Sequence, residues 1–363
     1  MNDLLAYIWL AHSVSLNRRA KKFLIEYFGG ACAVFDAADH ELTNGIAAYE
    51  EQSGRRSPNV SLPSRDLTDA RTCLQLAKSM GAQVIHYESA VYPDALREIP
   101  DPPALLYTLG DASLLARSSV AVVGTRRASP YGRWAAYEIS AKISSCGTQV
   151  ISGLAEGIDT EAHKGCLNGG SGTIAVLGTG IGHCFPASNR ALHRAICSRG
   201  LVVSEFYPTD KGFASYFPLR NRIISGLSRA VIVVEGALKS GSMITAGLAL
   251  EQGKDVYAVP GNINQPNSEG VNRLIYDGAY PILSLDTVPK ALGILTPKQQ
   301  EAHESLSKEE LLIFNVVKKN GIQSLQELCD ATNLSPSDVA SLTTILELKG
   351  FLSKRGTKIE VAK

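Results

Sequence analysis

Four short glycine-bearing stretches carry most of the chemistry this sequence offers. They are Gly124-Thr125-Arg126, Ser152-Gly153 continuing to Gly157, Gly178-Thr179-Gly180 and Ser240-Gly241-Ser242. Glycine lets a backbone approach a ligand closely and leaves N–H groups exposed; a helix opening behind such a turn adds positive potential. Repeated along one chain, the pattern points to an anion site. Cations stand beside the turns: Arg126 and Arg127 at the first, Arg190 after the third with the polar Asn189 before it, and Lys239 before the fourth. Phe217 opens a further stretch that holds Arg220-Asn221-Arg222. A guanidinium is planar and forks onto two phosphate oxygens at once. Arg220 and Arg222 are two residues apart, about 200° of rotation on a helix. One is expected to face the ligand and the other to tie the helix to its neighbours, and the spacing leaves open which. Among the nearby aromatics Tyr207, Phe213, Tyr216 and Phe217, some would stack bases and others would pack in the core.

Catalytic constellations are thin. In the run from Gly157 to His163, Asp159, Glu161 and His163 suggest an acid–base set. At a helix start, however, Asp159 or Thr160 reads more simply as an N-cap, with His163 pinning the loop. No G-x-x-x-x-G-K-[ST] occurs, which removes a P-loop nucleotide. Gly178 to Gly182 with Glu205 superficially matches a dinucleotide fingerprint. That fingerprint needs a helix opening at the glycines, whereas Cys184-Phe185-Pro186 intervenes and the helix is expected from Ser188 or Asn189. The seven cysteines are scattered, with no C-x-x-C and no histidine cluster of zinc spacing. No cofactor and no metal is therefore expected.

The elements that must hold these turns are legible as short apolar runs rich in β-branched residues: 120–123, 149–152, 173–177, 201–204, 230–234 and 255–259. Continuous apolar strands alternating with helical stretches imply a mostly parallel, Rossmann-like α/β sheet covered on both faces, with ligands at the carboxyl ends of its strands. Residues 1–66 read as a small helical domain of helix-hairpin-helix type carrying a polar loop insertion after about residue 50. The α/β domain follows over 67–288, with a strand at 83–87 and a proline-rich connector at 99–103, and then a linker over 289–306. Three helical runs and a hairpin over 307–363 have the plan of a winged helix. The 363 residues carry a net charge of +1, so positive charge for a polyanion must be gathered locally. No stretch has the length of a membrane span and no signal pattern opens the chain, so a cytoplasmic protein without a membrane partner is expected.

The same stretches resemble the DprA (Smf) family of DNA-processing proteins. The matching runs are Tyr92 to Leu96, Asp101-Pro102-Pro103, Val122 to Arg126 with Ser129, Tyr131 and Gly132, Ser152 to Asp159, Val176 to Gly180, Phe217 to Ser228, Val233-Val234-Glu235, Ser240 to Ala246 and Val259-Pro260-Gly261. They occur in order over about residues 92 to 284. The resemblance implies a protein that binds single-stranded DNA without strong sequence preference and performs no covalent chemistry. It also implies a homodimer formed through the Rossmann-like domain, and help in loading the recombinase RecA during natural transformation. Gly124 to Arg126 and Arg220 to Arg222 would then meet the DNA backbone. Two departures from the family pattern are Gly182, where an acid is usual, and Cys166, where a small residue is usual.

Two competing classes remain. One is a nucleotide-processing enzyme of the wider superfamily, marked by P-G-G-x-G-T-x-x-E. The corresponding stretch here, Glu235 to Ser242, lacks the glycine pair and the following acid. The other is a winged-helix transcription factor. Its recognition helix, over 335–349, would carry Asp338 and Glu347 with only Lys349 as a base, a poor match to a major-groove reader.

Overall fold

The computed structural model describes residues 3–54, 63–294 and 306–361. The chain forms two compact units, Met1–Leu285 and Asp286–Lys363. The first opens with four helices, α1 (Asp3–His12), α2 (Arg18–Phe28), α3 (Ala31–Asp36) and α4 (Asp39–Ser53), followed by α5 (Thr68–Ser79) and the single turn α6 (Asp94–Arg97). In α1 five consecutive residues, Ala6 to Leu10, are buried. A helix apolar on all sides must be covered on all sides, and α1 is. Tyr7, Ile8, Leu24 and Leu42 belong to the same buried cluster as Tyr107, Val202 and Ile223 of the sheet domain. Polar ties reinforce the joint: Tyr7 donates to Glu88 at 2.5 Å and His12 Nε2 lies 2.8 Å from the Tyr107 hydroxyl. The helices over 1–66 therefore share a core with the sheet. Part of the expected loop insertion, residues 55–62, lies outside the described residues, as does 295–305 of the expected linker.

Among the described residues the first unit holds a nine-stranded sheet. Its strands are β1 (Gln83–His86), β2 (Leu105–Gly110), β3 (Ser119–Val123), β4 (Gln149–Ser152), β5 (Thr173–Val176), β6 (Leu201–Ser204), β7 (Ala230–Val233), β8 (Asp255–Ala258) and β9 (Tyr280–Pro281). The order is β1-β2-β6-β5-β4-β3-β7-β8-β9. From β6 across to β9 every pair is parallel, while β1–β2 and β2–β6 are antiparallel. The six strands expected from residue 120 onward are all present, and the sheet is mostly parallel and Rossmann-like. Helices α7 (Pro130–Ser145), α8 (Ile158–Gly169), α9 (Arg190–Arg199), α10 (Tyr216–Gly226), α11 (Gly241–Glu251) and α12 (Glu269–Tyr276) alternate with these strands. The sheet grows outward in both directions from β3, toward β4 on one side and β7 on the other. Loops leaving β3 and β7 therefore part from one another and open a crevice, the usual ligand position in such sheets.

In the second unit α13 (Thr287–Ala291) precedes α14 (Lys308–Asn320), α15 (Leu325–Thr332) and α16 (Pro336–Leu348). The hairpin β11 (Leu352–Arg355) and β12 (Lys358–Val361) takes the short β10 (Gln323–Ser324) against β12. Ser307 with Glu310 and Ser324 with Glu327 close reciprocal capping boxes on α14 and α15, a pattern that satisfies two orphan N–H groups at once. Ile313, Phe314, Leu328, Val339, Leu346 and Ile359 form a separate core. Among the described residues no helix is long and apolar enough to cross a membrane.

Candidate nucleic-acid interface

At the crevice between β3 and β7 lies a cleft of about 430 Å³. Val123 to Arg127 form one wall, Ser240 to Ser242 and Thr245 another, and Phe217, Arg220 and Asn221 a third, with Asp159 at the back. Of the residues the sequence singled out, the structure brings together Gly124, Thr125, Arg126, Phe217, Arg220, Asn221, Ser240, Gly241 and Ser242. Arg126 is exposed, and its guanidinium carbon lies 5.5 Å from the centre of the Phe217 ring. A cation over an aromatic face is held electrostatically yet keeps its N–H edge free. Ser240, at the cap position of α11, makes no side-chain bond to the first-turn amides. Its hydroxyl instead lies 2.6 Å from that of Ser242. Asn221 donates to the Gly241 carbonyl at 3.3 Å, tying α10 to the start of α11.

The two arginines part company as their spacing requires. Arg220 lies at the cleft, 4% exposed. It donates to the carbonyls of Gly153 (2.8 Å) and Val176 and, through Nε, to Asn221 Oδ1 at 3.2 Å. Burial lowers its pKa to about 10, with Asp159 pulling it back up and Arg126 pressing it further down. It stays charged at neutral pH. Arg222 points away from the cleft and is 2% exposed. Its two terminal nitrogens grip the two Glu205 oxygens at 2.7 Å each, and Nε lies 3.2 Å from Asp101 Oδ2. Arg18 of α2 reaches the same Glu205 at 3.3 Å. Burial opposes charge on Glu205, but Arg222 and Arg18 outweigh it and its pKa is lowered. Arg222 is thus the structural anchor of the pair, and no surface of it is left for a phosphate.

The second and third glycine turns serve close packing behind the cleft. Ser152 is buried and donates to the Val122 carbonyl at 2.6 Å. At Gly153 a Cβ would stand 2.5 Å from Arg220 Nη2, so only glycine admits the guanidinium. Gly157, at φ +79°, leads into α8. Leu154 takes φ 57°, a left-handed conformation costing about 1–2 kcal/mol for a side-chain-bearing residue. Its buried side chain and the bond from Asn189 Nδ2 to its carbonyl (3.0 Å) hold it there. Gly178 lies under the Phe217 ring and Gly180 against the backbone of Tyr207 and Pro208. Asn189 is buried in the loop, while Arg190 and Lys239 are exposed outside the cleft lining.

The expected N-cap role of Asp159 needs correction. Gly157 occupies the cap of α8, and Asp159 is the second helical residue. Its Oδ2 accepts from the amides of Gly153 (3.1 Å) and Ala155 (3.4 Å). Burial raises its pKa while Arg220 and those amides pull the other way. His163 pins β5 rather than the loop: Nδ1 lies 2.8 Å from Thr173 Oγ1, and burial lowers its pKa to about 3. The sequence reading overlooked Phe185, 45% exposed with its ring 5.4 Å from that of Phe217. An aromatic inside a glycine-rich loop was the signal. Tyr216 instead stacks flat on buried Phe206 at 4.2 Å.

The DNA recombination-mediator protein A family model matches residues 83–293. The DNA processing protein DprA of Bacillus subtilis is 40% identical over 212 residues, 58% of this chain and 71% of that protein. The crystallographic structure of DprA from Streptococcus pneumoniae superposes with a TM-score of 0.63 at 33% identity, covering 78% of this chain and 96% of that one. DprA from Helicobacter pylori, whose structure describes that protein's single-stranded DNA binding mode, gives a TM-score of 0.52 at 32% identity, covering 55% and 92%.

Proposed function

The chain belongs to the DNA recombination-mediator protein A family, and on that premise we propose that it binds single-stranded DNA in the cleft between β3 and β7 without making or breaking covalent bonds. The observation that carries this reading is the convergence of Arg126, buried Arg220 and the opening turn of α11 on half-buried Phe217, whose ring lies beside that of exposed Phe185. Cations and amides suit phosphate, and rings suit bases of any kind, which is the recipe for sequence-tolerant single-strand binding. Asp159 supports a non-catalytic site, since its carboxylate is engaged by two loop amides and Arg220.

Two further parts of the proposal rest on family membership. The bound strand is handed to the recombinase RecA, and the first unit acts as a homodimer. The exposed rings of Tyr276, which ends α12, and Tyr280 of the edge strand β9 offer a surface for the second copy. Anisotropy of a labelled oligothymidylate tests the DNA reading. Affinity should fall with salt at a log–log slope of about −0.7 per phosphate neutralised, and Arg126→Ala should reduce that slope by about 0.7. A flat salt response, or tighter binding to blunt duplex than to single strands, would sink it.

A further inference from the structure

Glu235, which follows β7, is a buried carboxylate, 6% exposed. Among the described residues it forms no ion pair with a lysine, arginine or histidine. Burying a carboxylate is costly unless something compensates it, and here the compensation comes from Ser129, at the end of the loop that walls the cleft. One Glu235 oxygen accepts from the Ser129 N–H at 2.9 Å and the other from its hydroxyl. The same Ser129 caps α7, its Oγ accepting from Gly132 N–H at 3.0 Å. Gly132 carries no Cβ where one would collide with the Glu235 carboxyl group. Two donors side by side call for a two-oxygen acceptor, and a helix N-terminus favours a carboxylate beside it.

Glu235 also holds the other end of the loop. Its carbonyl accepts from Thr125 N–H at 2.8 Å, so one residue ties the chain both before and after Arg126. Asn267 adds a further tie: its side chain donates to the Arg127 carbonyl at 2.9 Å, and its own carbonyl accepts from Gly236 N–H at 2.7 Å. Ile158 N–H donates to the Thr125 carbonyl at 3.2 Å, and Arg127 N–H to the Thr125 hydroxyl at 3.2 Å. Thr125 and Arg127 thus have both backbone groups engaged. Between them, Arg126 has neither in a hydrogen bond among the described residues. Glu235 itself does not line the cleft. We propose that Glu235 is a positioning residue of the DNA site: with Asn267 it presets the Gly124–Arg127 turn, leaving the Arg126 N–H and guanidinium for a phosphate. Ordering loops and side chains is a large cost of association, and a preset turn avoids it. The inference rests on the single-strand reading for its ligand.

A double-mutant cycle read by anisotropy of a labelled oligothymidylate tests it, with urea unfolding of each variant alongside. Glu235→Ala should weaken binding about tenfold, or 1.4 kcal/mol. In an Arg126→Ala background the same change should cost about threefold or less, because residues acting through one contact are not additive. Glu235→Gln, which keeps an acceptor for the Ser129 N–H, should recover most of the loss. Asn267→Ala removes a tie at the surface end of the turn. It should weaken binding in the same direction with the same dependence on Arg126, and it carries the test if Glu235→Ala does not fold. A loss of equal size with and without Arg126, in folded proteins, would leave Glu235 a role in the fold alone and overturn the proposal. Wild-type affinity in folded Glu235→Ala would overturn it as well. A wild-type chain that binds no single strand would instead remove the single-strand reading, and the proposal with it, before any substitution is made.

Discussion

Arg220 and Arg222 show how much a residue's fate depends on groups distant in sequence. Helical rotation alone says that they diverge, and they do. Which one anchors the fold is decided by Glu205 and Asp101, 17 and 121 positions from Arg222. No local pattern carries that information, and the same holds for Gly153, whose missing Cβ admits Arg220. The two arginines should respond differently to truncation. Removing one partner of a buried ion pair leaves the other charge uncompensated and costs about 3–5 kcal/mol. Arg222→Ala leaves buried Glu205 with Arg18 alone, so urea unfolding should show a loss toward the lower end of that range and a lower Tm. Arg126→Ala, at an exposed site, should leave the midpoint within about 0.5 kcal/mol of wild type. Equal stability of Arg222→Ala and wild type would remove the anchor role.

At the scale of elements, strands were the easiest to read, because a strand buried on both faces is a short unbroken apolar run. The expected runs from residue 120 onward match β3 to β8 within a residue or so. The sequence reading does not include β2, whose apolar stretch follows a proline-rich connector and reads equally well as part of a helix. The start of α8 was misjudged by two or three residues because glycine, rather than a side chain, takes the cap. The histidines that lock elements together give a pH signature. An unfolded histidine titrates near pH 6.5. In the fold, burial lowers His163, between α8 and β5, to about 3, and His12, at the end of α1, to about 4. Between those limits the unfolded chain binds protons that the native chain refuses. Stability is therefore complete above about pH 6.5 and declines as pH falls toward 4, by about 1.4 kcal/mol per pH unit for each histidine. Urea midpoints measured from pH 7 to 5 should fall accordingly, and His163→Gln should remove one histidine's share of the slope, about 1.4 kcal/mol per pH unit, with His12, His86 and His193, all lowered by burial, supplying the rest. An unchanged slope in that variant would show that His163 is not protonated on unfolding in this range.

At the scale of the whole molecule, the partition is set by where apolar surface is shared. Residues 1–66 look separable because their helices are short and glycine-punctuated, yet the buried face of α1 lies in one cluster with the sheet domain's own core. The second unit has its own core, and its charge is nearly balanced. Over residues 307–363 eight lysines and arginines face seven acids, so it has no net field with which to gather a polyanion. Lys354 and Lys358 at the hairpin could reach one or two phosphates, few beside the cations and amides of the first unit. A chain ending at Leu285, the last residue of the first unit, should therefore fold and keep single-strand affinity within about tenfold at moderate salt, or 1.4 kcal/mol. It should also sediment as a dimer at micromolar concentration, since the exposed Tyr276 and Tyr280 are retained. A protein truncated at residue 92 instead would lose α1 to α5 and β1 from the shared core, so its failure to associate would report unfolding rather than a missing interface. If the chain ending at Leu285 is folded and dimeric but binds single strands far more than tenfold more weakly, the main DNA contact lies in the second unit. If it is folded and strictly monomeric while DNA binding persists, the β9 edge is not where a second copy docks.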